Sequence, residues 1–202
     1  MKKTTSALSA VAAFVFSSAV NASLITLDSR SIDAAIDDTD FVSSWANQAS
    51  SVTRTELEVF ESYRSGNHTI NLLTIDFDMV STGTWSFDLG LDAGYGAAFY
   101  LDDTLVSNRT DDLWWSYNWN HGDVMHVMDN TLTAGSHKIE IYWAEKCCNG
   151  ASSAKFTTDG SNWLALSTDN IDAAASVPEP ASLALFSLGL VGLTLARTKK
   201  KS

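Results

Sequence analysis

Hydrophobic and polar residues alternate with a period of two through the middle of this chain. From Thr69 onward, Ile70, Leu72 and Thr74 fall on one face and Leu73, Ile75 and Phe77 on the other. After the turn Ser81-Thr82-Gly83, Trp85, Phe87 and Leu89 point one way, Ser86 and Asp88 the other. Gly90, Gly94 and Gly96 punctuate the chain before a short strand at 97–101. Residues 124–128 alternate as well. In 137–143, Ile139, Ile141 and Trp143 share one face while Lys138, Glu140 and Tyr142 share the other. Residues 154–158 and 163–167 close the set, and no proline lies between 23 and 177. Short alternating strands separated by Gly, Asn and Asp turns predict an all-β, antiparallel β-sandwich. Upstream, Ile32, Ala35, Ile36, Phe41, Val42 and Trp45 fall partly at helical spacing and predict a short amphipathic helix near 31–49. Residues 56–63 fit a strand or a helix equally.

Two apolar runs at the ends break this pattern. Met1-Lys2-Lys3 precedes an apolar stretch from Ala7 to Val20, and Val20-Asn21-Ala22 supplies small residues for cleavage. Residues 1–22 read as a secretory signal peptide, with Ser23 the first mature residue. At the other end, 181–196 is sixteen residues without a charge, followed by Arg197, Lys199, Lys200 and Lys201. As a helix this run spans about 24 Å, short of the ~30 Å hydrocarbon core. The basic cluster favours the cytoplasmic side and leaves everything before Pro178 outside. An ordinary C-terminal anchor is one reading of it. Between the ends lies a single domain at 23–176, large enough to bury about 70% of its unfolded surface.

Charge sharpens the division. The formal net charge of the chain is −11, yet both end segments are basic, and the part between them holds 7 basic and 24 acidic residues. A body this acidic repels phosphate backbones, which argues against nucleic acid as a partner. Asp33, Asp37, Asp38 and Asp40 lack the alternate-residue oxygens and the glycine of a calcium loop and read as a solvated face.

The C-terminal segment 177–202 has three parts: Val177-Pro178-Glu179-Pro180-Ala181-Ser182, an apolar helix with Gly189 and Gly192, and the terminal Arg/Lys cluster. It resembles the PEP-CTERM sorting signal. The resemblance implies recognition of Pro178, Glu179, Pro180, Arg197, Lys199, Lys200 and Lys201 by an exosortase, with cleavage near the Pro-Glu-Pro. Membrane contact is then confined to the period before processing. Proteins of this class belong to Gram-negative bacteria that make exopolysaccharide, which implies a cell-surface or extracellular location.

The middle of the body carries a second resemblance. Thr82-Gly83-Thr84-Trp85-Ser86-Phe87, Asp92-Ala93-Gly94, the run 97–106 containing Asp102-Asp103, and Leu132-Thr133-Ala134-Gly135-Ser136-His137 follow in an order similar to the protective-antigen-type lectin-like module. This implies a lectin-like jelly-roll sandwich, often associated with carbohydrate. In sugar-binding members paired aspartates hold calcium. Here Asp92 occupies the first position, Ala93 takes the second, and Asp103 stands where a glycine belongs. A hard cation wants six to eight oxygens, so calcium requires the loop to bring Asp102 and Asp103 to Asp92; otherwise Asp92 is a turn residue and no cofactor is implied.

Lys146-Cys147-Cys148-Asn149-Gly150, together with the tail, resembles the CCXG family of PEP-CTERM proteins through Cys147, Cys148 and Gly150. These are the only two cysteines, in a chain bound for an oxidising compartment. Neighbouring Cα atoms lie about 3.8 Å apart, below the ~4.4–6.8 Å of relaxed disulfides. A bond between them is a tight ring that Asn149-Gly150 accommodates, with a structural clip or a redox role as its use. Bonds to another molecule, or reduced or metal-bound thiols, are the alternatives.

Trp114, Trp115, Tyr117 and Trp119 crowd together beside Asp111 and Asp112. Aromatic faces next to groups that bond hydroxyls are the ingredients of a carbohydrate platform. In a strand Trp115, Tyr117 and Trp119 share a face and Trp114 takes the other, so some of these rings belong in a core, as Trp85 and Trp143 do. Catalysis has little support. The four histidines lack metalloprotease spacing, and no nucleophile elbow or phosphate loop is present. The sequence therefore predicts a non-catalytic surface protein associated with exopolysaccharide or another surface glycan. The alternatives are a structural matrix protein clipped or cross-linked through Cys147/Cys148 and, last, a secreted glycoside hydrolase.

Overall fold

The computed structural model describes residues 22–176. The expected signal peptide (Ala22 apart), the apolar helix at 181–196 and the basic tail lie outside the described residues. In chain order the elements are β1 (Leu24–Ser31), α1 (Phe41–Ala46), β2 (Thr53–Leu57), β3 (Thr69–Met79), β4 (Gly83–Gly90), β5 (Asp92–Ala93) and β6 (Ala97–Leu101). They continue as β7 (Thr104–Arg109), β8 (Leu113–Trp114), β9 (Met125–Leu132), β10 (Gly135–Glu145), β11 (Ser153–Thr157), β12 (Leu164–Ala165) and α2 (Thr168–Ala175).

A six-stranded sheet, β2-β1-β3-β10-β6-β7, faces a four-stranded sheet, β12-β11-β4-β9, and β5 pairs with β8 apart from both. The described pairings are antiparallel. The alternation sets the layers. Leu73, Ile75 and Phe77 of β3 and Ile139, Ile141 and Trp143 of β10 point between the sheets, and Trp85, Phe87 and Leu89 of β4 meet them. Trp85 stacks on Phe156 at 4.9 Å between ring centroids, and Phe87 meets Phe99 at 5.2 Å. Trp85 and Trp143 are core residues, as their parity predicts.

The opposite face of the large sheet is also covered. Ile70, Leu72, Tyr142 and Ala144 pack beneath Phe41 of α1. The helix expected over 31–49 is confined to six residues, capped by Asp40, whose carboxylate accepts the Ser43 N–H at 3.0 Å. Before it, Gln48 Oε1 accepts the N–H groups of Asp33 and Ala34 at 2.7 and 2.8 Å, which holds that stretch irregular. At 56–63 the chain leaves β2 and touches the sandwich through isolated bridges from Val59 to Ser167 and from Tyr63 to Ser152. At the far end of the body α2 buries Ile171 and Ala175 in the core. Asp172 there accepts from Ser23 N–H at 2.8 Å and Ser23 Oγ at 2.5 Å, joining the two ends of the described chain.

Candidate functional site

The short ladder β5–β8 positions the site. Asp92 lies opposite Trp114, and Ala93 opposite Leu113. Ala93 and Leu113 are fully buried, which anchors the ladder, whereas Trp114 stands 64% exposed. Asp92 is buried. Its N–H donates to Ser152 Oγ at 3.1 Å, and its carboxylate accepts the N–H of Gly150. A side chain at Gly150 would overlap that carboxylate, so this glycine is required by the close approach of the loop to Asp92.

Between β10 and Gly150 the chain makes the Cys-Cys turn. Cys147 and Cys148 are bonded to each other. Cys148 and Asn149 take left-handed conformations, φ 78° and 47°, a region asparagine tolerates well. The Asn149 side chain accepts the Gly66 N–H at 2.8 Å, and its carbonyl accepts from Arg64. The described residues include no free cysteine.

Glu145 closes the floor. It is the last residue of β10 and only 3% exposed, with Oε1 accepting the Cys147 N–H at 2.7 Å and Oε2 buried without a partner. Burial, then the neighbouring Asp92 charge, pushes its carboxyl up to about 7; burial likewise raises Asp92. One proton held between the two supplies Oε2 with the donor it otherwise lacks. Together with Asp112, Trp114 and the disulfide they line a cleft of about 430 Å³. Lys146 folds its stem over Gly94 and places Nζ 4.6 Å from the Tyr95 ring centroid, so the nearby cation sits on an aromatic face.

The aromatic group of the sequence is divided. Ser116 and Tyr117 have φ of 49° and 60°, so strand parity ends after two residues of β8. Trp115 is 4% exposed and lies over Gly90 of β4. Tyr117 and Trp119 rest against it, at 5.0 and 4.6 Å between ring centroids. They face a second cleft of about 300 Å³, where Lys155 Nζ lies 4.5 Å from Trp119 and 4.7 Å from Trp163. Asp112 joins Trp114 in the first cleft, whereas Asp111 is turned to Arg109 in an ion pair at 2.5 Å.

The candidate calcium aspartates are not brought together either. Asp102 bonds His137 Nδ1 at 2.8 Å and the Lys138 N–H at 2.9 Å, and Asp103 pairs with Lys138 Nζ at 2.6 Å. Asp92 lies near Glu145, seven residues along β10 from Lys138, a separation of about 20 Å. Among the described residues, no group of three or more His, Cys, Asp or Glu side chains is arranged to hold a metal ion.

Glu145, Arg64, Lys155 and Trp163 are the site residues that sequence reasoning missed. Glu145 had a signal: it continues the inward parity of Ile139, Ile141 and Trp143, so a carboxylate occupies a position that the pattern reserves for an apolar side chain. Nothing in the local sequence links Lys155 to Trp119.

Comparison with known proteins adds two findings. Residues 176–200 match the PEP-CTERM protein-sorting motif, which marks the chain for export, for membrane anchoring before processing and for exosortase targeting to the surface. The body is similar in structure to the PA14 domain of the antifreeze protein MpAFP, at 12% identity and a TM-score of 0.51, covering 79% of this chain and 94% of that one. A PA14 sugar-binding domain from an RTX adhesin aligns at 10% identity and a TM-score of 0.48, over 74% of this chain and 97% of that one. A β-glucosidase from Kluyveromyces marxianus, solved with glucose, aligns at 12% identity and 0.42, over 66% of this chain and 15% of the enzyme. No curated protein sequence matches the chain. The chain thus carries a PEP-CTERM sorting motif behind a body with the fold of a PA14 domain.

Proposed function

We propose that this exosortase-targeted surface protein binds carbohydrate in the cleft between Trp114 and the Cys147–Cys148 disulfide, and works outside the cell in association with exopolysaccharide. The observation that carries the reading is the solvent-facing Trp114 ring set beside buried carboxyls in one concave site. A flat apolar ring takes the C–H face of a sugar, and carboxyls accept its hydroxyls. The disulfide gives the cleft a second apolar wall. The sorting address of this chain agrees with this reading.

Binding without catalysis is the form we favour. Asp92 and Glu145 act on one another as a single interacting pair, both pushed up by burial, rather than as two carboxyls with separate roles across a glycosidic bond. The test is glycan-array and calorimetric binding, using surface polysaccharide from a producing culture. Trp114→Ala is expected to weaken binding at least about tenfold, the scale of an aromatic contact worth ~1.5 kcal/mol, with Tm unchanged because the ring is exposed. Equal binding by the variant and the parent would overturn the proposal.

A further inference from the structure

The residue expected to lead the mature chain is held in the fold by a carboxylate. Ser23 is 8% exposed, and its backbone N–H and Oγ both reach Asp172 Oδ1 of α2, at 2.8 and 2.5 Å. Ala22, one residue earlier, is exposed. Asp172 stands in the last turn of α2, where the helix dipole disfavours a carboxylate, and that turn holds no basic residue. Among the described residues, no lysine or arginine pairs with Asp172. An amide N–H and a hydroxyl bring hydrogen bonds but no charge. A cation at the Ser23 nitrogen would answer both the carboxylate and the dipole.

We propose that cleavage of the Ala22–Ser23 bond supplies this cation, and that the α-ammonium set free on Ser23 pairs with Asp172 and fastens α2, the helix that runs into the sorting motif at 176. The inference rests on the secretory-leader reading of residues 1–22 and is independent of the carbohydrate reading. In the cleavage, water adds across the peptide bond. The Ala22 carboxylate departs with the leader, and Ser23 keeps the nitrogen, which is protonated at neutral pH because an α-amine titrates near ~7.7–8.0. The nitrogen already lies 2.8 Å from the carboxylate, so the contact becomes a salt bridge without rearrangement. A helix of 8 residues that buries only Ile171 and Ala175 depends on such ties. The fold also sets the order of events. From Leu24 onward the chain is paired with β3, and from Ile25 with β2 as well. The residues after the scissile bond are thus locked in a ladder and closed to a peptidase groove. Cleavage precedes the docking of β1, and docking of the new terminus then completes this pole of the sandwich.

The experiment compares proteins exported and processed by a producing culture. N-terminal sequencing of the released parent is expected to begin at Ser23. A variant with Gly-Ser inserted between Ala22 and Ser23 carries its ammonium two residues further out, and the exposed position of Ala22 gives the extension a free path. Intact mass confirms that both added residues are retained. This variant is expected to unfold about 2–4 °C below the parent, the shift that loss of one partly buried ion pair produces in a body of this size. Its α2 amides are expected to exchange hydrogen at least about threefold faster. Asp172→Asn is expected to lower Tm by a similar amount, and in that background the insertion is expected to cost less than about 1 °C more. A mature terminus at any other residue, an insertion variant as stable as the parent, unchanged exchange in α2, or insertion and Asp172→Asn losses that add in full would each overturn the inference. Should Asp172→Asn not be recovered folded, the parent and the insertion variant decide the matter by Tm and exchange alone.

Discussion

At Gly150, a backbone N–H reaches the Asp92 carboxylate where a methyl group would overlap it. Gly150→Ala is therefore expected to lower stability by about 1–3 kcal/mol, the usual cost of overpacking, read as a fall in Tm. Combining it with Asp92→Ala removes the clash, so the two effects should be strongly non-additive in a double-mutant cycle. Glu145 titrates in the opposite sense from a surface acid. Its carboxyl rises from an ordinary 4.5 to about 7 on folding, so between those values the folded protein binds more protons than the unfolded chain. The stability it contributes is fully present below about 4.5 and is lost as the pH rises through about 7. Denaturant unfolding should show parent and Glu145→Gln closest near pH 5. By pH 8 the parent should have fallen behind by about 2 kcal/mol. A difference that stays flat with pH would refute the buried pair.

At the scale of elements, the loop between β8 and β9 crosses the outer face of the small sheet and seats Trp115 on Gly90. Gly90→Ala is expected to lift that indole, lowering Tm and shifting tryptophan fluorescence to the red. The Cys147–Cys148 bond joins adjacent residues, so it closes almost no loop in the unfolded chain and contributes little by chain entropy. Reduction should therefore change Tm little while weakening glycan binding, which separates a wall of the site from a structural clip. Strands β3, β4 and β10 were legible because each has one face in the core and repeats long enough to show its period. The edge strand β2, Thr-Arg-Thr-Glu-Leu, is mostly exposed and offers no apolar face to read. In α2 only Ile171 and Ala175 are buried, too sparse a stripe for helical periodicity. The aromatic site was legible in composition but not in geometry. Two positive-φ residues after Trp114 undo the parity that assigned the rings to faces, and the partners Glu145 and Arg64 arrive from strands and loops remote in sequence.

For the whole molecule, the sandwich places its ends and its cleft at opposite poles. Ser23 meets Asp172, and the Val80 N–H bonds the Ala175 carbonyl, beside the Met79–Gly135 end of the β3–β10 ladder. Glu145 and the Cys-Cys turn stand at the other end, ten residues along β10 and about 30 Å away. The sorting motif begins at 176, next to the first pole. On the carbohydrate reading proposed above, the cleft then lies at the pole away from the attachment while the chain is still tethered through that motif, so binding would not have to wait for the protease.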